Sequence, residues 1–481
     1  MKKYILMVMS AAVLGFTSCS EDTLDEINKD NLHPSPDMVP ASLQLSDAIM
    51  STGFTTVSGD YAFYLGSLNE QEIGVGNNQL MKAEMRSSSE WASSTTFNNV
   101  WNGTYSNLMN LYEIKRKVET NVSGNVGKTD LLGMAQILIA LNFGVLTDLH
   151  GDIPYSEAVL GQANTQPKLD KQKDVYSGIL KTIDDGIANL QKGIKLKSVS
   201  AQDLLYKGNA NKWIALGYAL KARYLIHQLA VDPSVLTAAK TAAKTAAELG
   251  FEGASITDFN GVNCDNPWSA FIWSRLYTAS SNTVADIMSE YSDPRLPYYI
   301  YETEAYEPGV LEIAQVADGS LAYPEWFDFG SQPLHLFSKA ELYFILAETQ
   351  LRSNEDATEA FQTAVESSVS EIMELFGDET DAAAYAQSLG TPTLKKLFEQ
   401  KYIAQSYDEQ IETYNDLRRL KAMGETYVVL KNPNNVQSGI NRYPECLPYG
   451  NSSVLGNPNV KAAYGDGLYI YSNKTWVNKG N

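Results

Sequence analysis

Histidine and cysteine are scarce in this chain, and the local patterns through which they do chemistry are missing. The four histidines (His33, His150, His227, His335) stand at no metal-ligand spacing, and there is no H-E-x-x-H. There is also no G-x-S-x-G elbow and no P-loop. Gly74-Val75-Gly76 opens like a dinucleotide fingerprint but ends at Gln79 where glycine is needed, without a strand–helix context. Basic residues are outnumbered, 37 Lys and Arg against 57 Asp and Glu for a net charge of −20, which repels phosphate backbones and excludes nucleic acid as a partner. Beyond the first residues no run reaches the roughly 18 consecutive apolar residues of a transmembrane helix. Carboxylates are plentiful, so counting alone does not exclude a glycosidase pair, but no local motif selects one pair over another, and no cofactor is expected. Asp258-x-Asn260-Gly261-x-Asn263-x-Asp265-Asn266 is rich in oxygen ligands of the kind calcium takes, yet it departs from the EF-hand pattern and reads as a polar turn.

One of the three cysteines sits at the end of a leader. Lys2 and Lys3 precede an apolar run from Ile5 to Phe16, too short to span a bilayer and right for the h-region of a secretion signal. Phe16-Thr17-Ser18-Cys19 resembles a bacterial lipobox, in which the cysteine is lipidated and becomes the mature N-terminus. The acidic stretch after it, Ser20 to Glu26, resembles the surface-export signal of lipoproteins in the Bacteroidetes. The division expected is a signal peptide over 1–18, a lipidated Cys19 with an acidic tether over 19–40, and one helical domain over 41–481. Acyl chains contribute about 0.8 kcal/mol per buried CH₂, so an anchored domain that does not cross the membrane is expected, at the outer surface of the outer membrane. Cys264 and Cys446 remain, and could pair in an oxidising envelope; their wide separation in sequence does not decide it.

What is abundant is helical periodicity. Apolar stripes predict helices over 97–118, 130–149 (capped by Thr129 or Asp130), from about 170, over 211–231 and over 234–249, the last with Ser234 as N-cap and Gly250 as stop. The run Met134 to Leu146 is apolar nearly all round and predicts a buried helix. Trp213-x2-Leu216-Gly217-x2-Leu220 matches the first helix of a tetratricopeptide repeat, with an alanine-rich partner, and a second pair over 338–376 repeats the spacing loosely. Residues 51–96, 251–333 and the tail from Met423 are rich in Gly, Asn, Pro and Tyr and are expected to be irregular.

Several motifs stand out as scaffold: Asp148-Leu149-His150-Gly151-Asp152-Ile153-Pro154-Tyr155, Asp293-Pro294-Arg295-Leu296, Lys339-Ala340-Glu341 with Leu346-Ala347-Glu348, Glu399-Gln400-Lys401-Tyr402-Ile403-Ala404 and Tyr414-Asn415-Asp416-Leu417-Arg418-Arg419. In this order and spacing they resemble the SusD/RagB family of outer-membrane nutrient-binding lipoproteins, over essentially the whole mature chain. His150 stands where the family often has an aromatic, and Tyr414 where a tryptophan is common. The resemblance implies a mostly α fold with about four tetratricopeptide-like helix pairs. It implies a lid on a SusC-like TonB-dependent outer-membrane transporter that captures a glycan and passes it on, catalysing nothing. A RagB-like peptide binder is the alternative, and a repeat-type adaptor binding only proteins is a second.

The resemblance also implies a ligand platform in the irregular segments. Sugars lay flat C–H faces on aromatic rings and bond their hydroxyls to planar polar groups. The candidates are therefore the loop aromatics Trp91, Trp268, Trp273, Tyr306, Tyr323 and Trp326, with Arg86 and Asn282 as hydrogen-bonding groups. Trp101 and Trp213 lie on helical stripes and are assigned to the core. On this reading Trp326→Ala weakens ligand binding and leaves stability nearly intact.

Overall fold

Helix follows helix along this chain, and each long one packs on the next. The computed structural model describes residues 36–76, 79–122, 124–300, 305–310 and 323–480. The leader, Cys19 and the acidic stretch lie outside the described residues. The first described residues are pinned: Asp37 pairs with Arg116, and the Val39 carbonyl accepts from Lys117 Nζ at 3.1 Å.

The principal helices are α1 (Gly59–Leu68), α2 (Asn98–Glu119), α3 (Thr129–His150), α4 (Gln172–Lys192), α5 (Ala210–Ile226), α6 (Val235–Glu248), α7 (Pro267–Arg275), α8 (Asn282–Glu290), α9 (Lys339–Arg352), α10 (Thr358–Phe376), α11 (Leu394–Gln405) and α12 (Gln410–Met423). In sequence α2 packs on α3, α3 on α4, α4 on α5 and α5 on α6; α6 then packs on α9, and α9 on α10 and α11. Three two-stranded antiparallel pieces brace the connections: β1 (Glu72–Gly74) with β3 (Thr278–Ser280), β2 (Ala254–Ile256) with β4 (Leu334–Phe337), and β5 (Val436–Gln437) with β6 (Ile440–Asn441). The mostly helical fold read from the sequence is the one observed.

α3 is long and apolar enough to cross a bilayer, but every residue from Asp130 to His150 is buried against protein. On α4 the row Val175, Ile179, Ile183, Ile187 and Leu190 is buried, as its spacing requires. Two glycines set close helix approaches. A Cβ on Gly144 would meet the Tyr224 ring at 2.1–2.4 Å, and one on Gly217 would meet Ile187 at 2.7 Å. The alanines of α6 that face its partners, Ala239, Ala242, Ala243 and Ala246, are all buried.

Several local expectations change. Residues 51–96 are not irregular: Leu45–Ser51 runs into a π-helical turn, Thr52–Val57, and α1 follows, buried from Tyr61 to Leu68. Ser234 does not cap α6; Asp232 Oδ1 accepts from the Ser234 amide and hydroxyl at 3.0 and 2.6 Å, while Gly250 ends the helix at φ +73°. Asp130 does not cap α3, because its carboxylate is taken by the Ser198 amide and hydroxyl at 2.7 and 2.8 Å. Cys264 and Cys446 are both free thiols. In the oxygen-rich loop, Asn260 Oδ1 accepts from the amides of Val262, Asn263 and Cys264, which is the local geometry of a polar turn.

Candidate functional site

The motif charges build the interior. Arg419 grips Glu348 through two bonds at 2.6 and 2.8 Å and also reaches Asp416, whose other oxygen takes Lys401 at 2.6 Å. Arg223 pairs with Glu341, and Arg295 forks onto Asp293. Asp148, His227 and Glu412 bring ligand atoms within 4.8 Å of one another, a spacing a metal ion also uses. Here the imidazole spans the two carboxylates, with Nδ1 3.2 Å from Asp148 and Nε2 2.9 Å from Glu412, and Arg223 lies 3.7 Å from Glu412. Burial alone would lower the His227 pKa, but the two carboxylates outweigh it and raise it to about 9, while Arg223 and His227 hold Glu412 down at about 2 against its own burial. The cluster is a hydrogen-bonded ion network with its protons in place. The resemblance placed these motifs in the scaffold, and their burial puts them there.

The aromatic candidates divide. Trp91 is fully buried between Tyr64 and Phe97 and gives its indole N–H to the Ala83 carbonyl at 2.9 Å. Trp268 is fully buried, stacked on Phe327 at 4.5 Å. Trp326 is 1% exposed and packed among Tyr299, Phe327 and Tyr407. A sugar platform needs an open ring face, so these three are corrected to core packing. Arg86 is corrected as well. Held at φ +55° and buried, it donates to the carbonyls of Leu68, Ala83 and Glu84 and to Asn435 Oδ1, which ties two loops together. Tyr323 is half-buried and spends its hydroxyl on Asp328 at 2.8 Å.

Trp273 is 71% exposed. The difference from Trp268 is helical phase. Asn266 caps α7 by accepting from the Trp268 amide at 2.8 Å, and Pro267 opens the first turn. At about 100° per residue, five residues carry Trp273 roughly 140° round from Trp268. Trp268, Ser269 and Ile272 face inward, while Ala270, Trp273 and Ser274 face out. α7 is held from below by Phe271, whose ring stacks on Phe63 at 4.0 Å and meets Tyr277 edge-on at 6.2 Å.

From there the chain enters β3. The Tyr277 carbonyl accepts from the Val75 amide at 2.8 Å, and β3 pairs residue by residue with β1. Tyr306 packs half-buried on Ile73, Val75 and Ala279 and bonds through its backbone to Ser280 and Asn282, both at 2.9 Å. The Asn282 amide group donates to Glu307 at 2.9 Å. The structure thus brings Tyr306 and Asn282 together on the edge of β3 and leaves Trp273 open on the helix that leads into it. Phe271 and Tyr277, which support this surface, were missed from sequence. Their signal was the Asn266-Pro267 helix start, from which the phase of α7 follows.

A separate concavity of about 510 Å³ lies where the tail closes over the end of α3, lined among others by Asp152, Tyr449, Tyr469, Asn473 and Trp476.

A family profile described as starch-binding and associating with the outer membrane matches residues 63–440. The fold is similar to that of a SusD/RagB family protein from Bacteroides thetaiotaomicron, 31% identical at a TM-score of 0.81, with 92% of this chain and 100% of that one covered. It is also similar to a chitin-binding SusD homologue from Flavobacterium johnsoniae, 21% identical at a TM-score of 0.70, with 91% and 98% covered. No curated protein sequence matches the chain.

Proposed function

The chain belongs to the SusD-like family, which is associated with the outer membrane, and on that premise we propose that it is a glycan-binding lipoprotein of the cell surface. Lipidation at Cys19 holds it to the outer membrane. It captures an oligosaccharide or polysaccharide and delivers it to a SusC-like TonB-dependent transporter. Its helices serve as a rigid scaffold of about four tetratricopeptide-like pairs on this reading, and the ligand lies on the surface formed by α7 and the β3 edge.

The observation that carries this reading is Trp273. A large ring left open on a well-capped helix has no packing role, and its flat face suits the C–H face of a sugar. Tyr277, four residues on, and Tyr306, packed on the β1–β3 pair, supply further rings, and Asn282 with Glu307 supplies planar polar groups for hydroxyls. Starch-binding relatives and a chitin-binding homologue support a glycan as the ligand class. The test is calorimetric titration of the domain from about Ser20 with a panel of polysaccharides and oligopeptides. Saturable binding to a glycan supports the proposal; binding confined to peptides replaces the ligand class.

A further inference from the structure

The concavity over the end of α3 is closed by the tail, and at about 510 Å³ it has the size of a small-ligand site. Two exposed lysines line it, Lys474 and Lys479. The tail doubles back to bring them together. The Gly480 amide donates to the Thr475 carbonyl at 2.9 Å, and a Cβ on Gly480 would run into the Lys474 carbonyl oxygen. Lys479 stands at the turn, with φ +61°. The two side chains therefore leave touching stretches of backbone, and four-carbon stems from such neighbours can meet on one anion. In a chain of net charge −20, neither ammonium has a carboxylate partner among the described residues.

The lining has its acceptors spent and its donors unspent. Asp152 is its one carboxylate, and both oxygens are taken, Oδ2 by Lys171 Nζ at 2.8 Å and Oδ1 by the Gln172 amide at 2.9 Å. His150 has both ring nitrogens engaged, with the Tyr61 hydroxyl at 2.7 Å and the Leu447 carbonyl at 3.2 Å. Asn473 gives its side-chain oxygen to the Ser472 hydroxyl at 3.2 Å, which leaves its amide N–H groups free to donate. Those N–H groups, the Trp476 indole N–H and the two ammoniums have no acceptor among the described residues. Such a wall complements a ligand that is negatively charged and rich in acceptors. The rings of Tyr449, Tyr469 and Trp476 line the same space, the first two stacked at 5.8 Å. A small inorganic anion would use none of these rings, whereas a sugar ring uses aromatic walls and donors together.

We propose that this cavity binds an acidic sugar unit, its carboxylate or sulfate held by Lys474 and Lys479 and its ring set against the tyrosines and Trp476. The inference rests on the glycan reading for its ligand class but uses no residue of α7 or the β3 edge. The experiment titrates the domain with tetragalacturonate and its methyl ester, with a sulfated galactose tetramer and its desulfated counterpart, and with tetraglutamate. It uses wild type, Lys474→Gln/Lys479→Gln, Trp273→Ala and a control, Lys195→Gln/Lys197→Gln, an exposed lysine pair just past the end of α4. Wild type is expected to bind one acidic tetramer at least tenfold more tightly than its neutral counterpart, and which tetramer it is separates carboxylate from sulfate. Lys474→Gln/Lys479→Gln loses that preference at an unchanged melting temperature, and the control pair retains it. A wild type without preference for either acidic tetramer overturns the proposal. So does a preference that survives Lys474→Gln/Lys479→Gln, one lost equally in the control pair, or tetraglutamate binding as tightly as the acidic sugar. Trp273→Ala keeping the acidic preference while its neutral-glycan binding falls supports this site and the α7 surface separately.

Discussion

Trp273 of α7 and the arginines of α12 make opposite use of large, expensive side chains. Arg418 and Arg419 are almost completely buried; all three nitrogens of the Arg418 fork and both terminal nitrogens of Arg419 donate to carboxylate or carbonyl oxygens. Trp273, on a short helix inserted in a long connection, meets solvent over most of its surface. The motif-rich helices spend charge on fixing the positions of α3, α9, α11 and α12. The motif-poor connection leaves an aromatic ring unspent. The comparison teaches that in this chain the ordered motifs mark what holds the scaffold, while the recognition surface proposed on α7 has no motif of its own.

The sharpest way to break that comparison is at the scaffold. Arg419→Ala takes from Glu348 and Asp416 the cation they share, leaving Arg352 on one and Lys401 on the other, and with those partners kept the loss is expected at the low end of the scale for a broken buried pair, about 3 kcal/mol. Chemical denaturation is expected to show a loss of that size, with ligand affinity of the folded fraction unchanged. Trp326→Ala is expected to act the same way. Its ring is 1% exposed, and deleting a buried tryptophan costs about 3–5 kcal/mol through lost burial and the cavity left behind. A stable Trp326→Ala protein with weakened binding would restore Trp326 to the ligand surface and blur the distinction.

A smaller effect is expected at Trp273. Its replacement by alanine removes an exposed ring, so the melting temperature should shift little, whereas glycan affinity should fall by roughly 1–3 kcal/mol. The smallest effect is a slope with pH. The folded pKa of His227, raised to about 9 from an ordinary 6.5, makes its contribution full below 6.5 and lost as pH rises through 9. Glu412, lowered to about 2 from 4.5, contributes above 4.5 and loses this as pH falls through 2. The melting-temperature gap between wild type and His227→Gln should therefore be widest between these ordinary values, and should close from pH 6.5 to 9. A gap independent of pH would mean that the imidazole packs there without its charge. His150 runs the other way: burial lowers it to about 3, so it stays neutral when folded and opposes folding as pH drops below 6.5.

Much of the scaffold was legible in the sequence because its causes are local. An apolar run with no polar face gave α3, i, i+4 spacing gave α4, and Gly250 marked the end of α6. The caps were less legible, because Asp130 meets Ser198 only in the folded chain, and Ser234 spends its hydroxyl on Asp232, two residues before it. α1 was hidden by its glycines and serines, which read as loop until the buried face of Tyr61, Phe63, Tyr64 and Leu65 is seen against its neighbours. Which of the candidate rings are open to a ligand was not legible. A long connection rich in aromatics mixes rings that plug the core, such as Trp268 on Phe327, with rings left outside, such as Trp273, and composition cannot sort them. Arg86 misled for a related reason: a lone arginine in a polar segment resembles a ligand contact, but its guanidinium is taken up by the nearby carbonyls of Leu68, Ala83 and Glu84 and by Asn435 from the distant tail.

The most direct test of the account is calorimetric titration of Trp273→Ala beside wild type, with the glycan that wild type binds best. The account predicts a folded variant with the wild-type melting temperature and an affinity lower by roughly tenfold or more, the fold-change equivalent of about 1.4 kcal/mol. Wild-type affinity in Trp273→Ala would contradict it and move the ligand off α7 and the β3 edge.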